Sequence, residues 1–116
     1  TTEPSLIVPL PEFKEAVRVV AQKGCEMIIL EAHTGELHLS AHGFHPAYAD
    51  AEWQVESTTP AFGEFPLTGI NPLYLQATLK TFSAAAVKMG GGDNKPISFS
   101  VDGEKPIVVM PMHISR

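Results

Sequence analysis

Residues 69–80 read Gly-Ile-Asn-Pro-Leu-Tyr-Leu-Gln-Ala-Thr-Leu-Lys, and they place the start of a helix directly after a strand. Asn71 is a residue type that caps helices with its side chain, and Pro72 suits the first helical position, where its missing N–H would have no partner anyway. Three apolar residues then follow at helical spacing, Leu75, Leu79 and Phe82. The stretch predicts a strand over residues 64–70 and a helix over 72–83.

An earlier part of the chain repeats this arrangement. Residues 5–10 form a short apolar run, and Pro11 then takes the first helical position. Four apolar residues share one face at helical spacing, Phe13, Ala16, Val17 and Val20. Gly24 is a residue type that often follows the end of a helix in a left-handed conformation. The pattern predicts a helix over residues 11–23.

Each helix is followed by strand patterns. After the first helix they cover residues 25–31, 36–41 and 47–56, with a turn at 33–35 between the first two. A loop is predicted over residues 57–60 and at Gly63. After the second helix they cover residues 86–89, 95–101 and 106–112, with a flexible glycine loop at 90–92 and a turn at 102–103.

The element order is therefore βαβββ followed by βαβββ. Pro11 and Pro72, which open the two helices, are 61 residues apart, although the two halves share a pattern and no convincing residue identity. Two helices cannot cover both sides of eight strands, so we expect an α+β fold with both helices on one side and the sheets outside. We expect one domain over residues 1–116, with halves at about 5–56 and 64–114.

Composition limits the class of protein. The chain has 116 residues, 44% of them hydrophobic, and Cys25 is its one cysteine, so no disulfide closes within the chain. This size suffices for one compact core, and the unpaired cysteine favours a reducing compartment. Apolar runs are far shorter than the ~20 residues that cross a bilayer, and residues 1–4 lack the basic flank of a signal peptide. We expect a cytoplasmic protein without membrane contact.

The net charge of −5 argues against a generally basic nucleic-acid binder, but the charge is unevenly distributed. The two predicted helices carry four basic and two acidic residues, whereas the rest of the chain carries four basic and eleven acidic residues. Lys14 and Arg18 are neighbours on the first helix, as Gln76 and Lys80 are on the second. Together they would form a surface that meets phosphates without reading bases. The alternative is that these are ordinary solvated helix faces.

Residues 69–80 and 105–114 together resemble a known family. The first stretch is similar to the segment that enters the second helix of the C-terminal domain in the bacterial sliding clamp, the beta subunit of DNA polymerase III. The second, Lys-Pro-Ile-Val-Val-Met-Pro-Met-His-Ile, resembles that family's last strand and tail. Residues 93–97, 13–20 and 35–41 also fit. The Asn-Pro-x-Tyr-Leu and Val-Met-Pro-Met pieces are specific in combination, whereas the first half fits in pattern alone.

The resemblance implies a clamp-type domain whose helices line a ring around duplex DNA. It implies that Lys14, Arg18, Gln76 and Lys80 face the DNA, and that no cofactor or catalytic site is needed. Its implied partners are DNA polymerase and repair proteins, a clamp loader, and other clamp domains or copies of the chain. The family's peptide pocket receives short hydrophobic motifs that contain Gln, and the matching positions are Asn71, Tyr74, Val108, Val109, Met110, Pro111 and Met112. Core packing is the alternative role for both methionines.

Two departures leave alternatives open. Bacterial clamps carry three such domains per chain, and their tail usually ends in Arg-Leu, whereas this chain reads His-Ile-Ser-Arg over residues 113–116. The chain is then an excised C-terminal domain, a stand-alone clamp-like protein that assembles copies, or a peptide-binding module that does not encircle DNA.

Other chemistry finds weak support. A small metal-dependent hydrolase would draw on His38, His42 and His45, with Asp50 nearby, but their spacing matches no zinc motif. The glycines at 90–92 lack the Gly-Lys-Ser/Thr of a phosphate loop. Cys25 precedes an apolar run, which favours a buried, inert thiol. We therefore expect a protein without catalytic or metal-binding residues.

Overall fold

A computed structural model describes residues 5–22, 24–43 and 56–114. Within these ranges the elements are nine strands and two helices. They are β1 (Ser5–Pro9), α1 (Leu10–Ala21), β2 (Met27–His33), β3 (Glu36–His42), β4 (Glu56–Pro60), β5 (Phe62–Gly63), β6 (Thr68–Ile70), α2 (Pro72–Thr81), β7 (Ala86–Gly92), β8 (Lys95–Ser100) and β9 (Ile107–Val109). Among the described elements the order βαβββ occurs twice, with the short β5 between the two units, although β4 lies where a loop was predicted.

The strands form two antiparallel sheets that exchange strands between the two units. One sheet has the order β5-β1-β7-β8-β9 and the other the order β4-β3-β2-β6. The first strand of each unit therefore pairs with strands of the other unit: Leu6 lies opposite Met89, and Ile28 lies opposite Ile70. Because of this exchange, neither unit holds a complete sheet of its own.

Both helices lie on one side of the sheets, next to each other, which confirms the predicted α+β arrangement. The predicted apolar face of α1 is buried in full, and Leu75, Leu79 and Phe82 are buried as well. These side chains join one core with alternate residues of the strands, such as Leu37 and Leu39 on β3 and Ile97 and Phe99 on β8. The period of each apolar pattern therefore identified the core correctly.

Several local predictions were wrong. Residues 57–60 form β4 instead of a loop, because this Ser-Thr-Thr-Pro stretch pairs along β3 with Thr59 opposite Leu37. The strand predicted over 64–70 is confined to Thr68–Ile70. The helices are also shorter than predicted: α1 ends at Ala21, with Gly24 beyond it at φ +73°, and α2 ends at Thr81.

The glycine run at 90–92 was predicted as a flexible loop, but it belongs to β7. Its pairing with β8 shifts register between Gly90 and Gly92, which is a bulge, and the turn falls at residues 93–94. A side chain at Gly91 would collide with the carbonyl oxygen of Pro96, so glycine is needed where the two strands approach closely. Bulge geometry therefore explains the glycines better than flexibility does.

The strand predicted over residues 47–56 lies outside the described residues, apart from Glu56, as do Lys23, His45 and Asp50. Within the described ranges, no helix is long and apolar enough to cross a membrane.

Candidate functional site

The cations of α1 both have partners within the protein. Lys14 Nζ donates a hydrogen bond to the carbonyl oxygen of Phe82 at 3.0 Å, which ties α1 to the end of α2. Arg18 forms a two-point ion pair with Glu15, with Nε 2.9 Å and one terminal nitrogen 2.5 Å from its carboxylate oxygens. The hydrogen bond from Arg18 holds the pKa of Glu15 below its usual value. Arg18 therefore carries a compensated charge.

Most polar side chains of α2 are exposed, and none has an acidic partner within the helix. Asn71 caps it by accepting hydrogen bonds from the backbone N–H of Leu73 at 2.8 Å and of Tyr74 at 3.3 Å, as predicted. Gln76 and Lys80 are exposed, and α2 contains no acidic residue. Lys80 is therefore the one charged side chain of α2.

Three of the four predicted DNA-facing side chains meet in one place. Lys14, Gln76 and Lys80 line a groove of about 440 Å³ between the two helices, together with apolar side chains of both. Arg18 is not part of that lining and lies exposed on α1 with Glu15. The structure thus brings Lys14 of α1 and Lys80 of α2 to the same groove, whereas Arg18 lies outside it.

The predicted peptide-binding residues fall on two segments that the fold joins. The backbone N–H of Met112 donates to the carbonyl oxygen of Gly69 at 2.8 Å, which forms a bridge between the C-terminal segment and β6. Asn71 and the start of α2 follow two residues after Gly69. The stretch that opens the second helix and the Val-Met-Pro-Met stretch are therefore neighbours in space.

Alternation along β9 divides the predicted pocket residues. Val108 and Met110 are 59% and 64% exposed, and Tyr74 on the first turn of α2 is 61% exposed. Val109 instead belongs to the buried core, where it lies opposite Ile97 on β8. Pro111 and Met112 are half-buried. Exposure on this scale does not fit the core-packing alternative for Met110, whereas Val109 has a structural role in the fold.

Two further residues near this surface were not predicted. A Cβ atom at Gly69 would collide with the sulfur of Met27 and press against Ile114, so these side chains would have to move to admit one. Leu73, beside Tyr74, is 73% exposed and is the most open large apolar side chain in the described part of the chain. The helical period assigned Leu75, and not Leu73, to the buried stripe of α2, but it did not identify Leu73 as part of a binding surface.

The histidines within the described ranges do not gather around a metal position. His38 and His42 lie four residues apart on β3, which is roughly 13 Å along an extended strand. The ring of His38 instead packs edge-on against that of His33, with centroids 4.5 Å apart, and each ring faces a glutamate. Among the described residues, no group of three or more potential ligand side chains could hold a metal ion.

Cys25 is half-buried, and its Sγ lies 3.8 Å from the carbonyl oxygen of Val20. Burial raises the pKa of this thiol. A raised pKa keeps it protonated at neutral pH and lowers its reactivity, in line with the prediction of an inert side chain.

No protein-family model and no curated protein sequence matches the chain. Solved structures match it across almost its whole length. The DNA polymerase III beta sliding clamp of Bartonella birtlesii superimposes with a TM-score of 0.81 over 98% of the chain, at 20% sequence identity. The chain has the fold of one sliding-clamp domain. The beta subunit of Thermotoga maritima gives a TM-score of 0.80 over 99% of the chain, at 19% identity.

The beta subunit of Borrelia burgdorferi, solved in complex with a natural product, gives a TM-score of 0.83 over 99% of the chain at 13% identity. This chain spans about one third of each of these relatives: 33%, 32% and 31% of the Bartonella, Thermotoga and Borrelia chains. The sliding-clamp fold is therefore clear, whereas the activity and partners of a whole clamp are a matter for proposal.

Proposed function

We propose that this chain is a non-catalytic clamp-type domain over residues 1–116 that serves DNA polymerase processivity. In this proposal it binds short peptide motifs of polymerases and repair proteins through its C-terminal surface, and it faces duplex DNA through its helices. One observation carries the proposal: the bridge between Met112 and Gly69 brings the Val-Met-Pro-Met segment beside the start of α2 in a sliding-clamp fold.

The exposed apolar side chains support the peptide-binding part. We define the C-terminal surface as Tyr74, Val108, Met110, Pro111 and Met112, with Asn71 at its edge. Large apolar groups exposed this far lose contact with water when a partner covers them, which favours binding. Methionine suits such a surface because its flexible thioether adapts to different partner side chains. Hydrophobic peptides that contain Gln fit this chemistry, since a polar edge adjoins the apolar area.

The DNA-facing part rests on the helix face formed by Lys14, Arg18, Gln76 and Lys80. Cations and amides on that face can contact the phosphates of duplex DNA whatever its base sequence. Because Arg18 is paired with Glu15, one domain supplies few free cations, so its binding to DNA should be weak and salt-sensitive. Several domains in a ring, supplied by a longer chain or by copies, would add their contributions.

The same charge compensation favours a second candidate function. A module that binds peptides through the C-terminal surface without encircling DNA would need none of the helix cations. The two candidates separate by mass and by DNA binding: ring assembly of copies predicts a multiple of 12.5 kDa in solution, with duplex binding, whereas the module predicts a monomer without it.

The decisive test measures peptide binding by fluorescence anisotropy, with a labelled peptide that carries a Gln-containing hydrophobic clamp-binding motif. We expect the double variant Tyr74→Ala/Met110→Ala to bind at least about tenfold more weakly, as for exposed side chains at the centre of an interface. Phe62→Ala is the matched control, because Phe62 is a similarly exposed apolar residue on β5, at the opposite edge of the sheet from β9. Equal affinity in wild type and a folded double variant would refute the peptide site.

A further inference from the structure

The groove between α1 and α2 combines an apolar floor with a cationic rim. Leu73 and Ala77 contribute exposed apolar surface, the buried Val17 and Leu79 also line the groove, and Lys14, Gln76 and Lys80 contribute polar groups. Its volume of about 440 Å³ lies within the usual range of sites for small ligands. Contacts with phosphates alone would not require an apolar floor.

The electrostatics of the groove favour an anion. No acidic side chain lines it, and within the described ranges neither Lys14 nor Lys80 forms an ion pair. Lys14 Nζ donates one hydrogen bond to Phe82, and an ammonium group has three hydrogens to donate. Lys80 is exposed in the last turn of α2. Both ammonium groups therefore retain free donors at the rim.

We propose that this groove binds a small amphipathic anion, a ring system or short alkyl chain that carries a carboxylate, sulfonate or phosphate group. The apolar body would cover Leu73 and Ala77, while the anionic group would lie between Lys14 and Lys80 and accept from Gln76. The walls are two helices that pack against each other, so the backbone loses little freedom on binding.

This site goes beyond the proposed clamp function, because its ligand is a small molecule and its apolar floor contributes to the binding. It involves the same helix face, however, so an occupant would cover two of the cations offered to DNA. The site is tested without any DNA in the sample, and the result is therefore independent of whether the helix face binds a duplex.

The test uses 8-anilinonaphthalene-1-sulfonate as an amphipathic anion and N-phenyl-1-naphthylamine as its uncharged counterpart. Titrations are followed through backbone amide chemical shifts of the whole chain, which report both affinity and location. We expect the sulfonate to shift amides around Lys14 and from Leu73 to Lys80, and to bind at least about fivefold more tightly than the uncharged compound. Inorganic phosphate at the same concentration should leave these amides unchanged.

Two variants at exposed positions complete the test. Lys80→Gln should weaken sulfonate binding about fivefold, and Ala77→Glu, which places a carboxylate in the groove, should weaken it about tenfold or more. Lys88→Gln, an exposed lysine on β7, is the matched control and should leave affinity unchanged. The proposal fails if the shifts lie at the C-terminal surface instead, if both compounds bind equally, or if neither groove variant changes affinity.

Discussion

Helices α1 and α2 occupy equivalent places in the duplicated unit, yet they are stabilised in different ways. Helix α1 buries five residues, among them Phe13, and has no side chain that caps its N-terminus. Helix α2 is two residues shorter, has no aromatic residue among its buried side chains, and is capped by Asn71 with two hydrogen bonds. Tertiary burial thus dominates for the first helix, whereas local capping contributes more to the second.

The helices also differ in what they leave available for partners. On α1, Arg18 is paired with Glu15 and Lys14 is bonded to the end of α2. On α2, Lys80 has no acidic neighbour within the helix, and Leu73 and Tyr74 are exposed on the first turn. One short helix therefore contributes to both proposed surfaces, Tyr74 to peptide binding and Leu73, Gln76, Ala77 and Lys80 to anion binding. The duplicated unit has kept one fold while its two copies have acquired different surfaces.

The largest expected effect comes from removing the buried anchor of α1. Phe13→Ala should lower the free energy of unfolding by about 3–5 kcal/mol, because it leaves a cavity beneath a helix that no side chain caps. Urea denaturation measures the loss. On α2, Leu73→Ala should change stability by less than about 0.5 kcal/mol, since that side chain is exposed. Comparable losses in the two variants would show that burial does not distinguish the helices.

A smaller effect is expected from removing the cap of α2. Asn71→Ala should destabilise the domain by about 1 kcal/mol, because two backbone N–H groups of the first turn lose their acceptor. Asn71→Ser is the matched control, since a serine hydroxyl also accepts at this position and should preserve most of the stability. If alanine and serine variants unfold at the same urea concentration, capping does not hold α2.

The residues behind these stability differences were predictable from the sequence, whereas other features of the fold were not. Phe13 and Asn71 were identified from the sequence because helical period and capping are local properties of neighbouring residues. The exchange of first strands between the sheets was not foreseen, because pairing between Leu6 and Met89 depends on the whole topology. The prediction of a flexible loop at 90–92 was wrong for the same reason, because Gly91 is required where Pro96 approaches from another strand.

The proposed sites follow the same division. Residue types and resemblance selected Lys14, Tyr74 and Met110, and the fold places all three at a surface. Sequence could not reveal that Val109 belongs to the core or that Glu15 compensates Arg18, because both depend on side-chain direction. Residue choice was therefore more predictable than the availability of each residue to a partner.

The comparison of helix charges can be tested with duplex DNA. Lys80→Gln should reduce the slope of log affinity against log salt by about 0.9, because one phosphate contact is lost. Glu15→Gln should increase that slope by a similar amount, since it frees Arg18 from its ion pair. Fluorescence anisotropy at several salt concentrations gives both slopes. The double variant Glu15→Gln/Arg18→Gln serves as the control and should behave like wild type. An unchanged slope in Lys80→Gln, or an unchanged or smaller slope in Glu15→Gln, would overturn the proposed division.

The smallest expected effect is a change in the titration of Glu15 itself. Arg18 holds the pKa of Glu15 below its ordinary value of 4.5, so the ion pair is intact above that pH and is lost as the pH falls through the lowered pKa. Arg18→Gln removes the donor that favours the charged carboxylate, and the pKa of Glu15 should rise toward 4.5. Side-chain carboxyl chemical shifts measured by NMR between pH 2 and 7 report this pKa. An unchanged pKa in Arg18→Gln would mean that Arg18 is not held by Glu15 in solution, and α1 would then offer as free a cation as Lys80 on α2.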